Sequence, residues 1–308
     1  MRSARALLAL AFAASACGPF KPAAKTQTPT GATAGATTPT GAPVAFDRAT
    51  IRALAETRGY RNGAPTNAVP TADGKAVLFL RSTARDLKQS LYEMDLVTGQ
   101  TRELLGTDAA TKGDDKVPAA ERARRERLRI AASGVTSFEL TEDGSRVVVS
   151  LSGRLFVLTR ANNELKELPT GGEAFDPHFS HDGKRVAFVQ KNDVMSIGVD
   201  GKDLVQVTRG GTDAKAHGMA EFVAQEELDR TRGFWWSPDN QRIVFEEADC
   251  TKVEELTIAD PSAPERDADK ARYPRAGRAN CEPRFGIVSA RGGAVTWIDL
   301  DGKRDPYA

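Results

Sequence analysis

The sequence predicts an all-β fold, an incomplete β-propeller of four-stranded blades interrupted by two short helical insertions. Three observations carry that prediction. First, a hairpin unit recurs, in which an apolar or aromatic residue, two or three spacers and Asp-Gly (once Asp-Asn) lead into a β-rich run. It reads AVPTADGKAVLFL at 68–80, FELTEDGSRVVVSL at 138–151, FSHDGKRVAFV at 179–189 and WSPDNQRIVFE at 236–246. Asp-Gly between alternating apolar runs suits a tight turn with positive φ. Second, another hairpin follows each of the first three, at 90–104, 153–168 and 193–208. Hairpin plus hairpin makes one blade. Third, Asp143 and Asp182 stand 39 residues apart, a blade-length repeat, whereas Asp73 to Asp143 is 70 and Asp182 to Asp239 is 57. The two excesses, roughly thirty and roughly eighteen residues beyond one repeat, are the insertions.

The elements in chain order begin with residues 1–17, which read as an export signal. Arg2 and Arg5 are basic, and Ala6 to Ala14 is apolar but too short to span a bilayer. Ala14-Ser15-Ala16-Cys17 resembles a bacterial lipoprotein cleavage site, which implies lipidation of Cys17; an ordinary secretory signal cut near Ala16 is the alternative. Gly18 follows where inner-membrane lipoproteins carry Asp, so the resemblance implies the periplasmic side of the outer membrane, with the lipid as the only membrane contact. Residues 18–45 are Thr, Pro, Gly and Ala with almost no charge and no apolar face, a flexible tether. The propeller domain is expected over 46–308.

The first insertion is 108–132. Its core, AAERARRERLRIA, is a strong helix former placed after Pro118. Arg125 and Arg129 share a face at i, i+4, flanked by Arg122. Glu121 and Glu126 could pair with them on a merely solvated basic helix. The second insertion opens HGMAEFVAQEELDRTRGFWWSPD at 217–239. Met219, Phe222 and Val223 fall at i, i+3, i+4, with Leu228 near the same face, so the stretch predicts a helix from about residue 217. Gly233 ends it and Phe234-Trp235-Trp236 begins a strand. Glu226 and Glu227 are adjacent acids on that helix. Two anions side by side repel, and a ligand ammonium between them would relieve the repulsion in a partly desolvated pocket.

That string, with its helix, double Glu and following WWSPD, resembles the dipeptidyl peptidase IV family of serine exopeptidases over roughly residues 50–308. The resemblance implies a substrate-recognition propeller in which Glu226 and Glu227 grip the free N-terminus of a peptide. It also implies that an arginine of the first insertion holds a substrate carbonyl, with Arg125 the first candidate and Arg129 the second. RYPRAGRAN at 272–280 resembles a further family segment, a loop between blades, and is assigned no chemistry. Cys250 and Cys281 could pair in an oxidising compartment; spacing alone does not decide it.

The family's chemistry resides in an α/β-hydrolase domain with a Ser on a GxSxG elbow, then Asp, then His. No GxSxG occurs in these residues, and His178, His181 and His217 offer no matching order. His178 and His181 read as turn or surface residues, and His217 as a cap for the double-Glu helix. No catalytic residue is therefore assigned, and the chain alone is expected to be inactive. An open propeller edge is expected to make it marginally soluble, or dependent on a homodimer mate or a hydrolase half. The competing function is a non-enzymatic periplasmic binding or scaffold lipoprotein. A net charge of +1 argues against a nucleic-acid surface. Three Cys and three His without CxxC or HExxH make a zinc site unexpected, and no cofactor is implied.

Overall fold

The structure, a computed structural model, describes residues 47–106, 117, 119–259, 261, 265 and 268–300. The expected export signal with Cys17, the expected 18–45 tether and part of the first insertion lie outside the described residues. Among the described residues no helix is long and apolar enough to cross a membrane.

Four antiparallel sheets follow one another along the chain. After α1 (Arg48–Glu56), strands β1 (Thr66–Pro70), β2 (Ala76–Arg81), β3 (Lys88–Asp95) and β4 (Thr101–Leu105) pair in sequence order. Helix α2 (Ala119–Arg127) comes next, and β5 (Ser133–Gly134) returns to pair parallel with β3. The second sheet is β6 (Phe138–Leu140), β7 (Arg146–Leu151), β8 (Arg154–Thr159) and β9 (Glu164–Leu168). The third is β10 (Phe175–Phe179), β11 (Arg185–Gln190), β12 (Asp193–Gly198) and β13 (Val205–Gln206). The fourth starts with β14 (Lys215–His217), interrupted by α3 (Phe222–Glu227) and resumed as β15 (Phe234–Trp236). Both halves pair with β16 (Arg242–Asp249). A finger of β17 (Glu255–Ile258) and β18 (Asp269–Arg272) leads to β19 (Glu282–Ser289), which pairs with β16 and with β20 (Thr296–Trp297).

The four turns share one construction. The hydroxyls of Thr71, Thr141, Ser180 and Ser237 donate to the carboxylates of Asp73, Asp143, Asp182 and Asp239 at 2.6, 2.6, 2.7 and 2.5 Å. Each carboxylate also accepts the backbone N–H two residues on, which closes the turn locally. Asn240 takes φ +60° where the other three turns have glycine, so Asp-Asn serves there as Asp-Gly does elsewhere.

Alternation along the strands stacks the sheets. Val147 and Val149 of β7 and Phe156 and Leu158 of β8 pack on Leu78, Leu80 and Leu91 of the first sheet. The intervening Val148, Leu155 and Val157 face the other way, onto Phe179, Val186 and Phe188 of the third. In β11 the remaining residues, Ala187 and Val189, meet Phe234, Trp236, Ile243 and Phe245 of the fourth. Each middle sheet is thus buried on both faces. This is the blade-on-blade stacking of a propeller, as predicted.

Three expectations are corrected. Helix α1 was not anticipated; Asp47 caps it by accepting the Ala49 N–H at 3.0 Å, and none of its residues is buried. The second insertion does not begin as a helix at 217. Gly218 has φ +77° and Met219 makes a β-bridge to Arg232, so only Phe222–Glu227 is helical. The RYPRAGRAN segment does not connect blades. It lies inside the fourth sheet, between β16 and β19.

Cys250 and Cys281 form a disulfide one step beyond the Asp249–Glu282 pair, closing a separation of 31 residues at the base of the β17–β18 finger. Replacing both by Ser is expected to cost about 2–4 kcal/mol of stability, with reduction having the same effect on the parent chain. Urea unfolding with and without dithiothreitol measures it.

Candidate functional site

Strand β16 sets the geometry of the site. Its residues 247–249 pair with β14 and its residues 243–245 with β15. Between them stands Glu246, whose carbonyl accepts the Gly218 N–H and whose N–H donates to the Gly233 carbonyl, each at 2.8 Å. The insertion 218–233 leaves and returns at this one residue. The two limbs touch: a Cβ on Gly233 would meet backbone atoms of Gly218 and Met219 at 2.5 Å. The Glu246 side chain is fully buried and rises into this neck. It accepts the Glu221 N–H at 3.1 Å and pairs with Arg230 of the returning limb. Burial pushes its carboxyl up, against the opposing pull of Arg230.

Glu221 then caps α3, accepting the N–H groups of Val223 and Ala224 at 2.7 and 2.6 Å. The cap is therefore Glu221 and not His217, as sequence reasoning expected. His217 is buried in β14, with Nδ1 2.8 Å from Asp193 and Nε2 2.9 Å from Glu247. Arg284 donates to the same Glu247 at 2.7 Å, and Arg284 and His217 hold that carboxyl below its usual range although burial raises it. The chain Asp193–His217–Glu247–Arg284 joins the third sheet to the fourth beneath the insertion.

On α3, Glu226 is half-buried and Glu227 exposed. Phe222, at the helix start, is a meeting point of three segments. The Arg127 guanidinium of α2 lies 5.3 Å from its ring centroid, a cation–π contact, and Tyr273 of the RYPRAGRAN segment packs edge-on at 4.9 Å. Burial draws the Arg127 guanidinium down, and the Glu226 carboxylate is the leading charge that opposes it. Helix α2 thus brings Arg127 close to the helix that carries the double Glu. Arg125 donates to Glu121 of its own helix at 2.7 Å, and Arg129 lies exposed beyond the helix with φ +52°. Of the two sequence candidates, Arg125 lies on α2 and Arg129 just beyond its end.

A second buried cluster fixes α2. Glu121 holds Arg124 and Arg125, and Arg124 reaches out to Asp176 of β10 at 2.8 Å. Asp176 occupies the irregular step of the β10–β11 ladder with φ +51°. Burial raises its carboxyl, yet Arg124 and His178 bring it down to about 2. Burial likewise lowers the His178 imidazole, but Asp176 and Glu139 outweigh it and raise it above its ordinary value. His178 is thus a partly buried ion-pair residue, whereas His181 is exposed and pairs with Glu142 at 2.6 Å. Sequence reasoning missed Arg127, Tyr273, Glu246 and Asp176. The one signal for Tyr273 was the family resemblance of its segment. For the others the information lies in which strand faces the insertion, which a single sequence does not carry. Among the described residues no group of three or more His, Cys, Asp or Glu is placed to hold a metal ion.

Residues 140–308 match the family model described as the dipeptidyl peptidase IV (DPP IV) N-terminal region. Dipeptidyl peptidase 8 of Mus musculus is 29% identical over 212 residues, covering 59% of this chain and 24% of the relative. Dipeptidyl aminopeptidase A of Saccharomyces cerevisiae is 24% identical over 132 residues, covering 42% and 14%. The crystal structure of Porphyromonas gingivalis dipeptidyl peptidase 4 superposes with a TM-score of 0.60 at 19% identity, covering 81% of this chain and 35% of that one. The chain thus spans about a quarter of the length of the dipeptidyl peptidase 8 it matches.

The Asp176 and His178 shifts have opposite signs, so the docking of α2 depends on pH at both ends. Asp176 is lowered, and its contribution is complete above the ordinary Asp value and lost as pH falls toward about 2. His178 is raised, and its contribution is complete below about pH 6.5 and lost as pH rises through its folded value. Hydrogen exchange of residues 119–130 is expected to be slowest between these limits. Asp176→Asn should flatten the acid limb and His178→Gln the other.

Proposed function

The chain belongs to the dipeptidyl peptidase IV N-terminal region family, and we propose that it is the substrate-recognition propeller of a dipeptidyl-peptidase-like serine exopeptidase. Glu226 and Glu227 hold the ammonium of a peptide's free N-terminus, and an arginine of α2 holds the first carbonyl. Arg127 has the placement for that second role, with Arg125 in reserve. The observation that carries this reading is the meeting of α2, α3 and the RYPRAGRAN segment at Phe222, with Glu226 beside a partly desolvated Arg127. A solvated surface helix has no use for such support.

The chemistry follows from charge. An ammonium supplies up to three donors, and adjacent carboxylates offer more acceptors than one would. Charge-assisted hydrogen bonds in a half-buried site are stronger than neutral ones. Arg127, a cation, would turn a donor toward a carbonyl next to the amine. Recognition of both ends of the first residue fixes how far the peptide reaches, so a distant nucleophile would release a set number of residues. The relatives are named dipeptidyl peptidases and dipeptidyl aminopeptidases, and removal of N-terminal dipeptides, often X-Pro, is the activity we propose for the complete enzyme. Bond breaking is not assigned to these residues, which contain no GxSxG. That same observation favours the second reading, a non-enzymatic periplasmic propeller that binds peptides or scaffolds partners. In either case we place the protein on the periplasmic side of the outer membrane, tethered by lipid on Cys17.

Titration calorimetry with an Ala-Pro-Ala peptide tests the anchor. The free-amine peptide should bind and its N-acetyl form should not. Glu226→Gln with Glu227→Gln should weaken the free form by about 1.5–3 kcal/mol, roughly ten- to hundredfold in Kd. Arg127→Met should also weaken it, and binding should fall above about pH 8 as the peptide amine loses its proton. Equal affinity for the free and acetylated peptides would remove the role given to the acids.

A further inference from the structure

Glu246 is an ionisable residue with a fully buried side chain in the middle of a core strand. Its neighbours in β16, Phe245 and Ile243, fill the core between the third and fourth sheets. Keeping a carboxylate out of water costs several kcal/mol unless it is paired and hydrogen-bonded. Every bond the side chain makes goes to the insertion. One oxygen accepts the Glu221 N–H, at the residue that caps α3; the other meets Arg230, just past the helix. Arg230 is itself fastened in three ways. Its backbone N–H donates to the Ala224 carbonyl at 2.9 Å, its side chain reaches the Arg232 carbonyl at 3.3 Å, and its guanidinium lies 5.6 Å from the centroid of the Phe285 ring.

We propose that Glu246 is the positioning residue of the double-Glu site: its carboxylate ties the start of α3 to the returning limb and so fixes the direction in which Glu226 and Glu227 present their charges. The inference rests on the function proposed above, since it concerns the same site. Its physical reason is the length of α3. Six residues cannot hold a helix by themselves in water, and beyond the neck the insertion meets other segments at Phe222, which touches Arg127 and Tyr273. Backbone bonds at Gly218 and Gly233, the Met219–Arg232 bridge and the packing of Met219 on the core close the neck; these ties lie at the root of the insertion, below the start of α3. The carboxylate adds a second level of attachment above the first, and two levels define an orientation. Glu246 does not touch the ligand.

The test measures the Kd of an Ala-Pro-Ala peptide labelled at its C-terminus, by fluorescence anisotropy, together with hydrogen exchange of residues 219–232, on the full chain. Glu246→Gln keeps the shape and an acceptor for the Glu221 N–H but loses the ion pair. It is expected to weaken binding about tenfold or more while exchange in β11 and β12 stays at the parent rate. Glu246→Asp, which keeps the charge, should recover part of the affinity. Arg230→Gln removes the same link from the half-exposed side, and serves if Glu246→Gln does not fold; Arg230→Gln should also be nearly silent in the Glu246→Gln background, because the two act as one unit. Parent-like affinity in both single variants would overturn the proposal. If the parent chain itself fails to bind the peptide, the function proposed above falls, and exchange then decides this inference separately: faster exchange confined to 219–232 in Glu246→Gln supports it, and unchanged protection overturns it.

Discussion

The close crossing of Gly218 and Gly233 is the constraint on which the site depends. A strand can carry an insertion only if the ladder resumes in register on the far side, because a slip of one residue would turn every side chain of β15 to the wrong face. Here β14 and β15 pair with one uninterrupted β16, and the two limbs meet opposite a single residue of it. With backbone atoms already 2.5 Å from where a Cβ would stand, glycine is the residue that permits the approach at 233. Phe234 and Trp236 then fall back into the core as though nothing had intervened. The insertion is a side branch that leaves the blade undisturbed.

Such a branch gains little from local propensity. Helix α3 is capped by Glu221, a residue type that is not among the preferred caps, because a longer side chain can still reach the N–H groups of Val223 and Ala224. Its apolar contribution is essentially Phe222 and the buried Ala224. What remains is charge, arranged in two buried sets. One set, Glu246 with Arg230, ties α3 to β16; the other, Glu121 and Arg124 of α2 with Asp176, ties α2 to β10. Buried pairs are weak sources of net stability but strong sources of direction, since breaking one leaves the partner uncompensated. Under the proposed function, residues that present charge at a fixed angle would be supported by residues that are themselves held in ion pairs.

The blades were legible in the sequence because a hairpin is a local object. The hydroxyl, the aspartate and the glycine that close each turn lie within four residues of one another, and the apolar alternation that follows names the buried faces directly. Even the substitution of Asn240 for glycine could be read, since Asn tolerates positive φ. The insertions were legible in position, from the excess spacing, but not in shape. The apolar i, i+3, i+4 pattern at Met219, Phe222 and Val223 suggested one continuous helix, whereas Met219 belongs to the paired neck. The arginine ladder of α2 offered several residues at helical spacing, and periodicity cannot rank them. Arg125 was spoken for by Glu121 four residues earlier, an intrahelical pair that the same periodicity contains; Arg127 was left to reach α3.

The three segments that meet at Phe222 come from places with different structural freedom. Helix α2 fills the crossing from the first sheet to the second, α3 interrupts the first strand of the fourth, and Tyr273 stands in the excursion from β16 to β19. Each could vary in length without disturbing a ladder, and each is anchored separately: by Asp176, by Glu246, and by the disulfide with the Arg275–Glu254 pair. An aromatic ring is a suitable place for them to converge. It offers one face to a guanidinium and an edge to a second ring, and neither contact demands the angular precision of a hydrogen bond. The rigid ties therefore sit at the roots, and the tolerant contact sits at the tip beside Glu226. Under the function proposed above, a ligand amine would add there the directional bonds that the tip lacks, and the roots, already tied, would need no rearrangement.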